Sequence, residues 1–480
     1  MDASTTAPPG ERQPAAQESA GLARDQVSAL QVAIVSIAAT GPAAGVAMVV
    51  PVMAGFAGKA LVFAFLLTLV VSIMLTNTFG EFSKRLPSAG SLLAWNGAAL
   101  GPSVGFVFGW LFVAGYMLVT ATGFAAFGGF ADDYFATSLG IDLPWWVFMA
   151  VCVAYIVALA WRGVAQTVGS ALILLGIELG IMLLLAVWLL LTGHVTFSSA
   201  PFDPGIAPGG WAGIGLALTF GVASIVGYEE AATLAEEAQD ARKSVSRGLW
   251  ISAIFMPVFF LFVSYMLVQS YNPFGDFAAD PLAAQTLATD VWHSFGGLVT
   301  IVVVLSAVAF AQTAFNAGIR VIYSLGTVGL LPRAFGQTHP KHKTPSAAIV
   351  LFAVLTTTLA GVLAALVGPL GVYAYLGFMV GISFLVIYAL TNLGLIRHIL
   401  RHHRSEFSWF KHLVLPLGAT AGVLYPLYRN LNPLPAAPYP ALLLVMIGWV
   451  LAGVLLLWYV RTSGVADVED VTRAFSAKED

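Results

Sequence analysis

Apolar residues gather along the chain into runs of about twenty or more, separated by short stretches rich in charge, proline or glycine. At 1.5 Å of rise per helical residue, a run of that length crosses the ~30 Å hydrocarbon core of a bilayer. The runs predict twelve helices, over residues 28–54, 59–80, 100–128, 145–161, 166–192, 212–237, 248–271, 296–325, 346–367, 371–397, 412–430 and 440–460. The division of 346–397 into two rests on the turn at Gly368, Pro369 and Gly371. The pattern is that of an all-α polytopic membrane protein. Residues 1–24, rich in Ala, Pro and Gln and poor in large apolar side chains, are expected to form a disordered tail.

Charge placement gives the chain a direction. Of its 21 Lys and Arg, only Lys59 and Arg429 fall in loops on one side of the twelve spans. Basic residues are retained on the cytoplasmic side, so both termini are expected there, and a miscounted span would scramble the bias. The hydrophobic fraction of 59% against 9% charged residues excludes a set of soluble domains. A net charge of -3 gives no reason to expect nucleic acid; the partners expected are a small-molecule solute and the lipid bilayer, with oligomeric state left open. Cys152 is the one cysteine, so neither an intramolecular disulfide nor a cysteine-based metal site can form. The eight histidines fall in loops or at span ends, away from any nucleophile-base constellation; no enzyme, metal site or cofactor is expected.

Two spans carry interruptions at their middles. The first reads VSIAATGPAAGVAM over 35–48, where Pro42 removes a helical donor and Gly41 and Gly45 loosen the backbone. Residues 39–45 are expected to unwind, exposing Ala39, Thr40, Gly41, Pro42 and Gly45 to a cavity; a simple proline kink is the competing reading. The sixth span holds Phe220, Gly221, Ser224 and Gly227, followed at once by Glu229 and Glu230. If spans 1–5 and 6–10 are repeats, the two interruptions occupy equivalent positions, the sequence mark of a transporter site at mid-membrane. Half-helix N-termini then offer N–H groups to a carboxylate, and half-helix C-termini offer carbonyls to an ammonium group. A zwitterion fits that arrangement.

Three stretches are specific enough to compare. SKRLPSAGSLLAWNGAALGPSVGFVFGW over 83–110, FGVASIVGYEEAATLAEEAQDARKSV over 220–245 and FNAGIRVIYSLGTVGLLPRAFGQTHPKHKTP over 315–345 resemble the second-to-third helix, sixth-helix and eighth-helix regions of amino acid permeases of the amino acid-polyamine-organocation superfamily. The resemblance spans roughly residues 28–400. It implies a 5+5 inverted-repeat fold with broken helices 1 and 6, a transport core over 25–400, two further helices within 401–462 and a cytoplasmic tail over 463–480. It also implies a plasma-membrane secondary transporter that imports or exchanges amino acids, often with protons; polyamines or other amines are the alternative, and sodium coupling stays open. The chain departs from the family where Gln239, Asp240 and Ala241 replace an Asn-Pro, where Thr327 and Val328 replace an Arg-Asp pair, and where Ala223 replaces the bulky aromatic gate of some members. Phe220, one turn earlier, is the substitute gate expected here.

Two carboxylates lie at membrane depth. Glu178, among Leu, Ile and Gly in the fifth span, reads either as a protonation switch or as a structural carboxyl bridging helices 1, 5 and 8. Glu229, at the second interruption, reads as a brace for N–H groups freed in the first, or as a ligand for a substrate amine. Tyr116, Thr313 and Asn316 are candidate cavity groups, each competing with a helix-packing role. Arg320 and Arg333 are expected to meet lipid phosphate or Glu81, Glu236 or Glu237 as an inner latch. A transporter-like sensor or channel and an intramembrane enzyme are the rival classes.

Overall fold

The computed structural model describes residues 28–86, 91–162, 168–229, 232, 238, 240–327, 329, 331–339 and 344–463. The tail expected over 1–24 and all but the first residue of that expected over 463–480, together with Glu230, Glu236 and Glu237, lie outside them. In chain order the helices are α1 (Ala29–Ala39), α2 (Pro42–Ala57), α3 (Leu61–Arg85), α4 (Ser91–Leu100), α5 (Pro102–Leu139), α6 (Trp145–Arg162), α7 (Val168–Leu191), α8 (Trp211–Ser224), α9 (Ala241–Ser270), α10 (Phe274–Phe277), α11 (Ala283–Trp292), α12 (Gly297–Thr327), α13 (Ser346–Val367), α14 (Val372–His402), α15 (Leu415–Leu431) and α16 (Tyr439–Ser463). No strand occurs among the described residues. An all-helical answer follows from the solvent, because hydrocarbon offers no partner for an exposed N–H or C=O and a helix satisfies both within itself.

Nine helical stretches among the described residues are long and apolar enough to cross a membrane. The first, Pro42–Arg85, runs 44 residues and joins α2 to α3. At 1.5 Å per residue it would reach about 66 Å, twice a bilayer's hydrocarbon thickness. It is interrupted at Gly58, whose φ of 55° ends α2. α1 and α8 are shorter apolar helices of 11 and 14 residues that stop at mid-bundle. α8 ends at Ser224, inside the span expected over 212–237 and at the interruption expected there. α4, α10 and α11 are helices where the sequence pattern left loops, since none is long enough to register as a span.

Burial separates the core from the lipid face. The apolar window of α14 is 78% buried and that of α16 only 17%. α5 packs along α12, α14 and α6, and α3 packs along α9. α16 is held to α5 by a pair of reciprocal bonds: Trp110 Nε1 donates to the Trp449 carbonyl at 2.8 Å, Trp449 Nε1 donates to the Trp110 carbonyl at 3.0 Å, and the rings stack. At its start α9 is capped by Asp240, which accepts the Lys243 N–H at 3.2 Å, so the residue that departs from the family's Asn-Pro acts as a helix cap.

At the end of the bundle rich in Lys and Arg, Glu81 closes α3 against the turn that leads into α15. Its carboxylate accepts hydrogen bonds from Lys84 Nζ at 3.1 Å, from Arg85 Nη1, and from His412 Nε2 at 3.1 Å. His412 Nδ1 accepts the Ser408 N–H at 2.9 Å, so the ring proton sits on Nε2 and points at Glu81. Arg85 also bonds Glu406 at 2.8 Å. The option of a latch from Arg320 or Arg333 to Glu81 is corrected accordingly: both arginines are exposed, and Glu81 is engaged by Lys84, Arg85 and His412, while Glu236 and Glu237 lie outside the described residues.

Removing one member of a buried ion cluster leaves the rest uncompensated. Glu81 is 9% exposed, whereas Lys84 is 48% exposed and screened by water. The substitution Glu81→Gln is therefore expected to destabilise the fold by about 2–3 kcal/mol. A lowered aggregation midpoint on heated gel filtration reads this out; an unchanged midpoint means the cluster adds nothing to stability.

Candidate functional site

The first interruption is built by Gly41 and Pro42. α1 ends at Ala39, Gly41 adopts φ 60° and ψ 70°, and α2 restarts at Pro42. The left-handed backbone is open to glycine, and a Cβ at position 41 would also stand 2.7 Å from the Phe310 ring. Proline suits the first position of the new helix because its missing N–H has no helical partner there. The second interruption follows α8: Ile225, Val226 and Gly227 form a turn, with Gly227 at φ 107°. A Cβ on Gly227 would lie 3.2 Å from the Ala39 carbonyl oxygen. The two breaks thus touch backbone to backbone, and glycine is what allows that approach.

Each break has its carboxylate. Glu229 is buried, and its Oε2 accepts the Gly227 N–H at 3.0 Å, bracing its own turn. It also lies near the Tyr388 hydroxyl. Glu178, on α7, is 3% exposed and lies beside the Ala43 N–H in the first turn of α2 and beside the Ser306 hydroxyl of α12. That position lies between α7, α2 and α12. Its Oε2 has no hydrogen-bond partner among the described residues.

Between the breaks lies a small cavity of about 50 Å³. At ~10–15 Å³ per water position, it has room for a handful of waters, or for a compact solute. Ala39, Thr40 and Gly45 face it from the first break, Ala223, Ser224 and Val226 from the second. Met48 and Val49 of α2, Val119 and Thr122 of α5, Phe310 of α12, and Tyr373, Gly377 and Val380 of α14 complete the wall. The lining contains no ionisable carboxyl or basic group. Of its four hydroxyls, three donate to their own helices: Thr40 to Ile37 O at 2.7 Å, Thr122 to Leu118 O at 2.8 Å and Ser224 to Gly221 O at 2.7 Å.

Met48 also lines a larger vestibule of about 760 Å³ at the end of the bundle poor in Lys and Arg. Asp132, Asp133 and Asp142 stand on its wall, with Phe130 and the 367–371 turn opposite the end of α2. Its rim near Ala279 and Pro281 is shaped by Asp280, which accepts from Tyr271 at 2.8 Å, Thr286 at 2.7 Å and the Leu282 N–H at 2.8 Å. Toward the other end lies a cluster of buried rings. Phe79, Phe82, Trp95, Tyr228 and Tyr388 are all buried, with ring centroids 5.4–6.1 Å apart around Phe79 and 5.5 Å between Phe82 and Trp95.

The sequence of residues 26–462 matches the family described as amino acid permease. The chain belongs to that family. The permease is an integral, multi-pass membrane transporter and not an enzyme. It is 24% identical to the branched-chain amino acid permease BcaP of Bacillus subtilis (strain 168) over 396 residues, 78% of this chain and 81% of the relative. It is 26% identical to the low-affinity putrescine importer PlaP of Escherichia coli (strain K12) over 308 residues, 60% of this chain and 64% of that one. Its fold is similar to that of a manganese transporter from Eremococcus coleocola solved in complex with an aromatic bis-isothiourea substituted compound, with a TM-score of 0.58 over 96% of this chain and 99% of the other, at 10% identity.

Within the permease, the residues singled out from sequence divide into two groups. Ala39, Thr40, Gly45 and Ser224 line the cavity. Gly41, Pro42 and Gly227 form the breaks without lining it, and neither Glu178 nor Glu229 reaches its wall. Phe220, expected as the gate, is buried behind the wall, stacked on Phe56 at 5.6 Å and tilted against Tyr373 at 6.0 Å. Thr313 bonds Ala309 O at 2.9 Å, and neither it nor Asn316 lines the cavity, because both lie on α12 past Phe310 toward the basic end. Tyr116 sits a turn before Val119, off the lining, against Phe112. The aromatic wall is formed by Phe310 and Tyr373, which no local signal in the sequence marks.

Proposed function

We propose that the permease is a secondary active transporter of amino acids that are zwitterionic at the backbone and uncharged in the side chain. It crosses the plasma membrane twelve times with both termini in the cytoplasm. Helices 1–5 and 6–10 are inverted repeats within residues 25–400, and 401–462 adds two helices. The three crossings beyond the nine apolar stretches come from dividing Pro42–Arg85 at Gly58, from the helix begun by α8, and from α15. The vestibule faces outward and the aromatic seal faces the cytoplasm, so alternating access proceeds by closing the first and opening the second.

The observation that carries the substrate reading is the uncharged wall. Met48, Val49, Val119, Val226, Phe310 and Val380 are apolar, and both buried carboxylates stand away from the cavity. A second ammonium group on the solute would be buried there without a counter-charge, which costs several kcal/mol. A single ammonium fits, because the last-turn carbonyls of α1 and α8 and the lone pairs of Thr40 and Ser224 are acceptors. Apolar side chains of the solute gain by contact with the valines and Phe310. Glu178, with its unpartnered oxygen beside the first turn of α2, is assigned as the proton carrier.

The acidic vestibule and the similarity to a putrescine importer favour a second reading, transport of amines. A thermal-shift screen of the purified permease against the common amino acids, putrescine and spermidine separates the two. Neutral aliphatic amino acids are expected to raise the melting point, since a ligand bound only by the folded state stabilises it. They should also drive counterflow of labelled solute into liposomes. Stabilisation by putrescine, with none by any neutral amino acid, would reverse the assignment.

A further inference from the structure

The cavity is rich in acceptors and poor in donors. Thr40, Thr122 and Ser224 have their protons directed into their own helices, so each presents only lone pairs to a solute. Backbone donors at the breaks are scarce as well. The Thr40 and Gly41 N–H groups bond Ile37 O and Ala38 O at 3.1 Å, Gly45 N–H bonds Gly41 O at 2.7 Å, and Pro42 has none. The Ala43 N–H faces Glu178. At the second break, the N–H groups of Ile225, Val226 and Tyr228 bond carbonyls three residues back, and that of Gly227 bonds Glu229.

Tyr373 differs from the other hydroxyls. It is 8% exposed, it lines the cavity, and its hydroxyl has no hydrogen-bond partner among the described residues. A buried hydroxyl without a partner costs about 1–3 kcal/mol, and a solute that accepts its proton would recover that. Its ring is held in place by the tilted Phe220 ring on one side and by Gly377 one turn along α14. A Cβ at position 377 would stand 2.8 Å and 2.9 Å from Cε2 and Cζ of that ring, so glycine leaves the seat that lets the ring lie flat along the helix.

We propose that Tyr373 is a solute-binding residue whose phenolic hydroxyl donates a hydrogen bond to the carboxylate of the transported amino acid. The inference rests on the zwitterion reading above, in which the ammonium is met by carbonyls and hydroxyl lone pairs and the carboxylate lacks a side-chain donor. Tyr373 thereby sets the preference for an amino acid over the matching amine. A phenol O–H bonding a carboxylate is a charge-assisted bond, stronger than a neutral one.

The test compares wild type with Tyr373→Phe, which removes the oxygen and keeps the ring. Dissociation constants are measured by ligand-induced thermal shift for whichever neutral amino acid binds wild type most tightly and for its decarboxylated amine, for example L-valine and isobutylamine. Loss of a bond to a charged group should weaken the amino acid ~10- to 100-fold and leave the amine within about twofold. The unliganded melting point should be unchanged or higher. Gly377→Ala, which pushes the ring aside without touching the hydroxyl, should weaken the amino acid likewise. Wild-type affinity in Tyr373→Phe overturns the proposal while the zwitterion reading stands. Equal losses for acid and amine overturn it too, since the group would then act by packing. A wild-type protein that binds only solutes without a carboxylate overturns both.

Discussion

Glu178→Gln is expected to abolish uptake driven by a pH gradient while sparing solute exchange. An inward gradient of two pH units sustains at most about a 100-fold accumulation at one proton per solute, because each unit is worth ~1.4 kcal/mol. Glutamine imitates the protonated carboxyl in shape and hydrogen bonding, so binding and counterflow should persist at near wild-type rates. It cannot release a proton, so the accumulation ratio should fall to about 1. The position of Glu178 suits a proton carrier, since it lies between α7, the first turn of α2 and Ser306 of α12, and its charge acts on the helix that starts at the break. A negative carboxylate at that N-terminus favours the arrangement described here, and protonation weakens the hold. Liposomes loaded at acidic and neutral pH give the measurement. Undiminished accumulation by the glutamine variant would assign Glu178 to structural bridging.

The second large effect is expected from Gly227→Ala. At φ 107° a side chain costs about 1–3 kcal/mol of backbone strain, and the new Cβ would press on the Ala39 carbonyl at 3.2 Å. Relief requires the two breaks to part, and the cavity lies between them. Solute affinity is expected to drop at least ~10-fold, with the Gly227 to Glu229 bond also disturbed. Gly140→Ala is a useful control, because Gly140 also has positive φ, at 66°, but ends α5 with open space around it. It should carry the backbone cost without the loss of binding. Equal affinity for wild type and Gly227→Ala, measured by thermal shift on monodisperse protein, would mean that contact between the breaks is dispensable.

How much of this was legible in the sequence depends on whether the cause is local. The break at Thr40 and Gly41 and the turn after Ser224 were readable because proline and glycine act on their own backbone, whatever surrounds them. The nine long apolar stretches were readable because bilayer thickness imposes a length on any apolar run. Short α4 escaped, since ten mostly apolar residues cannot cross a membrane. The cavity wall was legible only where it coincides with a break. Tyr373 and Phe310 sit on uninterrupted helices, and which of their faces meets the cavity is decided by how α12 and α14 pack against α2 and α5. Thr313 and Asn316 were singled out for polarity alone. Polarity on a buried helix is satisfied as readily by the carbonyl one turn back, as Thr313 does with Ala309. Glu229 also accepts from Gly227 two residues away, a local bond that competes with any more distant backbone donor.

The reciprocal Trp110 and Trp449 bonds bear on how the chain comes together. The two residues are 339 positions apart, and each indole proton ends on the other helix's backbone. Until α16 is inserted, α5 presents to lipid an N–H with no acceptor, in a medium that provides none. A helix made 339 positions later is thus the one that makes α5 tolerable in hydrocarbon, which ties acceptance of an earlier helix to insertion of a much later one.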